Sequence, residues 1–389
     1  MSRGSVRSRR PWRAAAVAAA AAVSLAACSV TPEGGGEQAP EGGGEGGTQQ
    51  VTLQLQWFTQ GQFAGYFAAV DQGFYAEQGL EVEIREGGID IVPQTVLAQG
   101  QADYAIAWVP KALASREQGA GITDVAQIFQ RSGTYQVSFA DRGIATPADL
   151  RGKKVGNWGF GNEFELFAGM TGAGLVPATD VTLVQQQFDM QALLSGEIDA
   201  AQAMSYNEYA QVLEATNPAT GELYQPSDFS IIDWNDVGTA MLQDAIWAST
   251  ERLADPAYQE TTTKFIAASL KGWAYCRDNV EACRDIVVAA GSTLGASHQL
   301  WQINEVNKLI WPAPDGAGVI DQAAWDRTVQ VARTAVNADG QTVLTQDPDA
   351  EAFSNDYVER AVELLEADGV DVTGADYQPI EVALNPGGA

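Results

Sequence analysis

Val51, Leu53, Leu55 and Trp57 alternate with Thr52, Gln54 and Gln56, the two-residue period of a strand with one buried face. The loop Thr59-Gln60-Gly61-Gln62 follows. Phe63, Tyr66, Phe67 and Val70 then keep helical spacing as far as Gly73-Phe74-Tyr75. Gly79-Leu80 leads into a second strand through Val82 and Ile84, which Gly87-Gly88 stops. A helix over 92–99 and Gly100 precede a third strand over 103–108. The resulting β-α-β-α-β order predicts a largely parallel sheet.

The pattern then repeats. A strand over 153–158 is followed by the loop Gly159-Phe160-Gly161-Asn162-Glu163, a helix to 173 and a strand over 181–187. Gly174-Leu175 matches Gly79-Leu80, and Leu193-Leu194-Ser195-Gly196-Glu197-Ile198-Asp199 echoes Leu97-Ala98-Gln99-Gly100-Gln101-Ala102-Asp103. After Asp244 the periodicity is helical over 256–275, 281–290, 298–310, 321–335 and 355–367. Ser354 as N-cap and Gly369 past the end bracket the last of these. Helices that follow a second lobe pack most simply back onto the first. The expected layout is therefore a second lobe at 141–242, inserted into a discontinuous first lobe of 51–140 plus 243–389. Two crossover strands near 135–139 and 239–247 would join them. Two lobes with two crossings can hinge, and open α/β sheets bind ligands beyond their strand C-termini.

The N-terminal segment reads differently. Arg3, Arg7, Arg9, Arg10 and Arg13 make a positive region ahead of an apolar run over 14–22, closed by Leu25-Ala26-Ala27-Cys28. That ending resembles the lipobox of bacterial lipoproteins, in which the cysteine sulfur is acylated; the alternative is a secretory signal cut beside an incidental Cys28. Ser8-Arg9-Arg10 hints at a twin-arginine signal, although Pro11 and Trp12 fit one poorly. Residues 29–50 are rich in Gly, Glu and Pro and form a flexible linker, because they hold too little apolar area to offset chain entropy. Signal peptide and lipobox at 1–28, tether, then globular body is the layout of a protein anchored by lipid at the extracytoplasmic face of the cell membrane.

Composition narrows the chemistry. The 389 residues suffice for two to three domains at roughly 150 residues each. Fifty acidic against 22 basic side chains give a net charge of −28, which argues against nucleic acid as a partner. One histidine, His298, and three cysteines leave no material for a zinc centre with several imidazoles, and no cofactor or metal is expected. Beyond the N-terminus no stretch approaches the ~20 apolar residues of a membrane span. Cys276 and Cys283 read most simply as a disulfide in an exported protein, with two free core thiols as the alternative. On one continuous helix this i, i+7 pair would stand about 10 Å apart, so a bridge requires a helix break at Asp278-Asn279.

Leu55-Gln56-Trp57, Gln62-Phe63-Ala64-Gly65-Tyr66-Phe67-Ala68, Gly73-Phe74-Tyr75, Gly79-Leu80-Glu81-Val82 and Gly87-Gly88 resemble the opening of the thiamine-precursor (pyrimidine) binding proteins, a family that also contains the fungal thiamine pyrimidine synthases. Gly100-Gln101-Ala102-Asp103-Tyr104, Thr146-Pro147-Ala148-Asp149-Leu150-Arg151-Gly152-Lys153 and Tyr206-Asn207-Glu208-Tyr209 continue the likeness over about 51–340. The resemblance implies the type II periplasmic-binding-protein fold. It also implies a monomeric solute-binding component that serves the permease and ATPase of an ABC importer. Related binders take riboflavin, sulfonates or nitrate. The synthases of this family carry a cysteine-rich motif and use a histidine as pyrimidine source. This chain has no cysteine cluster, and His298 lies far along in an amphipathic helix, so a synthase is not expected.

The candidate ligand contacts follow from position. Trp57 ends the first strand, where its indole can stack on a flat ring or belong to the core, and Gln60 and Gln62 beside it offer donors and acceptors. Tyr66 and Trp108 divide between the same two readings. Asn162 and Glu163 lie in a glycine-bearing turn, where they contact ligand or merely serve the helix start. Tyr206 and Glu208 follow the strand over 200–204, and Asp244 lies on the return crossover. A carboxylate among aromatics suits an aminopyrimidine. These loops hold no arginine, with Arg131 and Lys111 the nearest cations, which favours a flat nitrogen heterocycle over sulfonate or nitrate. No phosphate-binding loop occurs, so ATP hydrolysis falls to another chain.

Overall fold

The computed structural model describes residues 48–159 and 161–389. The signal with Cys28, most of the linker, and Phe160 lie outside the described residues. The strands in chain order are β1 (Gln49–Gln54), β2 (Leu80–Arg85), β3 (Tyr104–Trp108), β4 (Ile122–Gln127), β5 (Thr134–Phe139), β6 (Lys154–Asn157), β7 (Thr182–Gln185), β8 (Ala200–Met204), β9 (Phe229–Asp233) and β10 (Asp244–Ser249). They form two five-stranded sheets, ordered β2-β1-β3-β10-β4 and β7-β6-β8-β5-β9. In the first, β1 runs parallel to β2 and β3, and β10 returns antiparallel between β3 and β4. In the second, β6 runs parallel to β7 and β8, and β5 lies antiparallel between β8 and β9. The echo in the sequence is thus one topology used twice, each sheet receiving one strand through a crossing. The described residues form one compact two-lobed α/β unit.

Three expected boundaries move. The strand begins at Gln49, inside the expected linker, and ends at Gln54, short of Trp57. The second lobe begins by Thr134 rather than at 141, because β5 pairs with both β8 and β9 and so lies past the crossing. The return crossing runs through 239–243 without strand pairing and becomes β10 only at Asp244. The strands β4 and β9 have no counterpart in the pattern reading. β4 is buried throughout although it contains Asp124 and Gln127, so no alternation marks it.

The helices after β10 return to the first lobe. Pro256–Asp278 starts with Asp255 accepting the Ala257 N–H and packs on Ala64–Asp71. Its buried Phe265 stacks on Tyr104 of β3 at 4.3 Å, and Trp273 sits edge-on to Tyr66 at 5.7 Å. The helix stops at Asn279 and a new one runs Val280–Ala289, which brings the Cα atoms of the Cys276–Cys283 disulfide to 5.3 Å. The last helix is Asp356–Ala367, where the Ser354 hydroxyl accepts the Asp356 N–H and Gly369 (φ 76°) ends the turn. No helix of the described residues is long and apolar enough to cross a membrane.

Candidate functional site

A cavity of about 670 Å³ opens between the two sheets at their strand C-termini. The first lobe lines it with Gln56, Trp57, Gln60, Gln62, Trp108 and Lys111, and the second with Trp158, Asn162, Phe188, Tyr206, Asn207 and Glu208. Among the described residues no three His, Cys, Asp or Glu side chains gather as a metal site.

The first-lobe wall is built on a buried carboxylate. Asp244 opens β10 directly opposite Trp108, the last residue of β3. Its Oδ1 accepts the Trp108 indole N–H at 2.8 Å and the Gln56 amide, and its Oδ2 accepts Gln62 Nε2 at 2.9 Å. Gln62 Oε1 in turn accepts from Gln60 Nε2 at 2.7 Å. Burial pushes the Asp244 carboxyl up to about 7, against the opposite pull of these donors. Asp244 therefore does not itself line the cavity; it fixes three side chains that do. Trp57 stands beyond β1 in a bend, its carbonyl accepting from Gly87 N–H at 2.9 Å. That approach leaves no room for a side chain at Gly87, whose Cβ would lie 2.4 Å from the Trp57 nitrogen.

The second-lobe wall rests on turns. Gly159 (φ 71°) and Gly161 (φ 86°) shape the loop before the helix Phe164–Gly172. Asn162 Nδ2 closes this turn on the Gly159 carbonyl at 2.8 Å, and Glu163 accepts the Gly161 N–H at 3.0 Å. Asn162 lines the cavity, whereas Glu163 stays behind the loop. Across the cleft, the Phe188 ring lies 4.8 Å from Trp57 of the other lobe and stacks on Trp158 at 6.0 Å. Tyr206 is buried at the floor, and Glu208 accepts the Met204 N–H at 2.9 Å while burial pushes its carboxyl up to about 7.

Trp57, Gln60, Gln62, Trp108, Asn162, Tyr206 and Glu208 are thus brought to one cavity. Tyr66 is not: it is buried against Trp273, because its helical register points it into the first-lobe core. Gln56, Lys111, Trp158, Phe188 and Asn207 also line the cavity, and sequence reasoning did not place them among the ligand contacts. Phe188 was findable, since it follows β7 as Gly88-Ile89 follow β2, and the echo makes these corresponding loops. Lys111 sits in the first turn of the helix Val109–Glu117 with its ammonium 5.0 Å from the Trp108 ring centre, and burial draws it down to about 8.

The crossings behind the cavity are tied by polar side chains. Gln243 donates to Ser132 Oγ at 3.1 Å and Thr134 Oγ1 at 2.7 Å, and accepts the Gly133 N–H at 2.8 Å. Glu165, in the first turn of its helix, accepts the Met241 N–H at 2.6 Å and the Ser132 hydroxyl at 3.1 Å, and burial pushes it up to about 7. The helix Ala296–Ile310 also spans the junction. Its Gln299 and Gln302 accept the Gly61 and Gln62 N–H groups of the first lobe, while Trp301 donates to the Ser205 carbonyl of the second at 3.0 Å.

Comparison with known proteins agrees with this architecture. The family described as NMT1/THI5 like matches residues 60–282. The riboflavin-binding protein RibY of Chloroflexus aurantiacus is 26% identical over 80% of this chain and 86% of its own length. A formylaminopyrimidine-binding protein of Halalkalibacterium halodurans is 22% identical over 62% of this chain and 70% of its own. A 4-amino-5-hydroxymethyl-2-methylpyrimidine phosphate synthase of Aspergillus parasiticus is 25% identical over 43% of this chain and 49% of its own. Among solved structures, the putative periplasmic sulfonate-binding protein SsuA of Methylobacillus flagellatus superposes with a TM-score of 0.60 at 18% identity, covering 87% of this chain and 99% of its own. That likeness identifies the fold as that of the periplasmic binding proteins.

Proposed function

This chain belongs to the NMT1/THI5-like family, and on that premise we propose that it is the extracytoplasmic solute-binding component of an ABC importer, closing on a flat nitrogen heterocycle. The observation that carries the reading is the aromatic clasp: Trp57 and Trp108 from one lobe face Phe188, Trp158 and Tyr206 from the other across one cavity. Polar groups at its edges, Gln60, Gln62, Asn162, Asn207 and Glu208, can satisfy ring nitrogens and amino groups. A ligand that touches both walls favours the closed form, whereas one held by a single lobe shifts nothing.

A thiamine pyrimidine precursor fits this chemistry, and the names of two binding relatives support heterocycles of this kind. The volume of about 670 Å³ favours the second reading, a fused-ring ligand such as riboflavin, because a single pyrimidine ring leaves most of the space to water. Binding without turnover is our reading for this chain, since among the described residues the walls hold amides, aromatic rings, buried carboxyls and the Lys111 amine but no cysteine or imidazole. In this reading a lipid at Cys28 holds the protein at the membrane, and a permease and a separate ATPase receive it as a monomer. Calorimetry with riboflavin and with 4-amino-5-hydroxymethyl-2-methylpyrimidine decides the ligand, with micromolar or tighter affinity expected for one of them. Binding of neither overturns the heterocycle. Retention of a Cys28→Ala protein in the membrane fraction would remove the anchor.

A further inference from the structure

The polar atoms of the cavity wall divide into those spent on the protein and those left over. Gln56 and Gln62 give amide N–H groups to Asp244, and Gln60 gives one to Gln62. Gln56 Oε1 and Gln60 Oε1 are thereby left as acceptors without a partner among the described residues. In the acidic corner each Glu208 oxygen already takes a protein N–H, from Asn207 at 2.8 Å and from Met204 at 2.9 Å. Donors without a partner among the described residues include the Lys111 ammonium on the first-lobe wall. On the second-lobe wall they include the indole N–H of Trp158, a side chain 4% exposed.

Lys111 is the one basic side chain that lines the cavity among the described residues. Its ammonium stands 5.0 Å from the centre of the Trp108 ring. From the other lobe Gly161 covers its stem so closely that a Cβ there would lie 3.8 Å from Lys111 Cγ and 3.9 Å from Cε. Held between a tryptophan face and a loop, the ammonium has given up water and gained no described protein acceptor in return. Burial draws it down only to about 8, so it keeps its charge at pH 7. Asp244 and Glu163 act on that charge from the two lobes without pairing with it, and both are engaged elsewhere. Their nearness offsets part of the charge and so favours a neutral oxygen over a full anion. A ring carbonyl supplies one. The ring nitrogen of an aminopyrimidine is basic, and an ammonium beside it opposes the proton it takes up.

We propose that Lys111 is a specificity-determining residue that donates to a ring carbonyl oxygen, so that the cleft selects an oxo heterocycle, with C=O beside ring N–H, over an aminopyrimidine. The ring N–H then has Gln56 Oε1 and Gln60 Oε1 as its acceptors. The proposal rests on the cavity being the heterocycle site, and its test separates the two. Lys111→Met keeps an apolar stem and drops the ammonium. In calorimetry at pH 7 it should lose about tenfold or more in affinity for riboflavin and keep that for 4-amino-5-hydroxymethyl-2-methylpyrimidine. Lys111→Gln, which retains a neutral N–H, should show the same selectivity with a smaller loss. An unchanged riboflavin affinity, or an equal loss for both probes, overturns the proposal. Infrared difference spectra of bound riboflavin should place a carbonyl band at lower wavenumber in wild type than in Lys111→Met, because only a donor to that oxygen weakens the bond. Identical bands mean a merely structural lysine and overturn the proposal. Flavin mononucleotide held more tightly than riboflavin, with the preference lost in Lys111→Met, makes Lys111 an anion site and overturns the carbonyl. If wild-type protein binds the aminopyrimidine and not riboflavin, the proposal falls and the heterocycle reading stands. If it binds neither, both fall.

Discussion

The two walls of the cleft solve one problem in different ways. The first-lobe wall is anchored from below: Asp244, buried at the start of β10, holds Gln56, Gln62 and Trp108 at once, and Gln62 holds Gln60. The second-lobe wall is carried by turns, with Asn162 in a two-glycine loop and Phe188, 39% exposed, in the loop after β7. A side chain locked by a saturated carboxylate is oriented before ligand arrives; one on an exposed turn is ordered by the encounter and contributes less net affinity. On the proposed function, the difference assigns orientation to the first lobe and capture to the second.

The strongest way to break this contrast is Asp244→Ala. It strands three donors beneath the cavity, and it should cost about 3 kcal/mol of stability in denaturant unfolding together with most of the affinity. Preserved binding would show that the first-lobe wall is not organised from Asp244. Trp57→Ala comes next. The indole is half-buried beyond the end of β1, so the fold should persist while affinity for a flat ring drops more than tenfold by calorimetry. An unchanged affinity removes Trp57 from the ligand. Phe188→Ala should cost less, about threefold to tenfold in affinity with little change in unfolding, since its ring is already partly in water.

The finest test uses pH. Asp244, Glu208 and Glu165 are each raised to about 7 in the folded protein, whereas unfolded carboxyls ionise near 4. The folded state therefore keeps protons that the unfolded state releases. Their contribution to stability is full below about pH 4 and is lost as pH rises toward 7. Asp244→Asn removes one of the three, so the stability difference between wild type and this variant should change across pH 4–7 and level off above it. A difference that is constant with pH would mean that Asp244 is ionised throughout.

Much of the fold was legible because its signals are local. Gly79-Leu80 and Gly174-Leu175 mark the same turn in both lobes, and period-two alternation marks β1 and β2. β4 escaped because it is buried on both faces although it holds Asp124 and Gln127, so no alternation marks it, and the partners it does have are remote: Gln127 Nε2 donates to the Gln243 and Asp244 carbonyls, and the Asp124 backbone bonds with Ala352 and Ser354. The lobe boundary was misplaced for a related reason, since nothing in 134–139 states which sheet that strand joins. At the site, position alone found Trp57, Trp108 and Tyr206. It could not distinguish Tyr66, which shares their chemistry but turns into the core, or Asp244, whose role depends on three partners between 136 and 188 residues away. Lys111 was passed over because a lysine in the first turn of a helix usually faces water; here the opposing loop at Gly161 covers its stem.

The helix Ala296–Ile310 grips the Gly61–Gln62 turn with one pair of side chains and the 205–207 corner with another. Such a rivet on the rear of the clamshell makes parting the halves there expensive. The opposite edge carries exposed apolar side chains, Phe58, Ile89 and Phe188 at 45%, 67% and 39%, and in the proposed reading a ligand passes there. On the proposed function, the dwell time of a captured molecule, and the place where a transporter would pry to release it, are set by these few apolar residues on one edge.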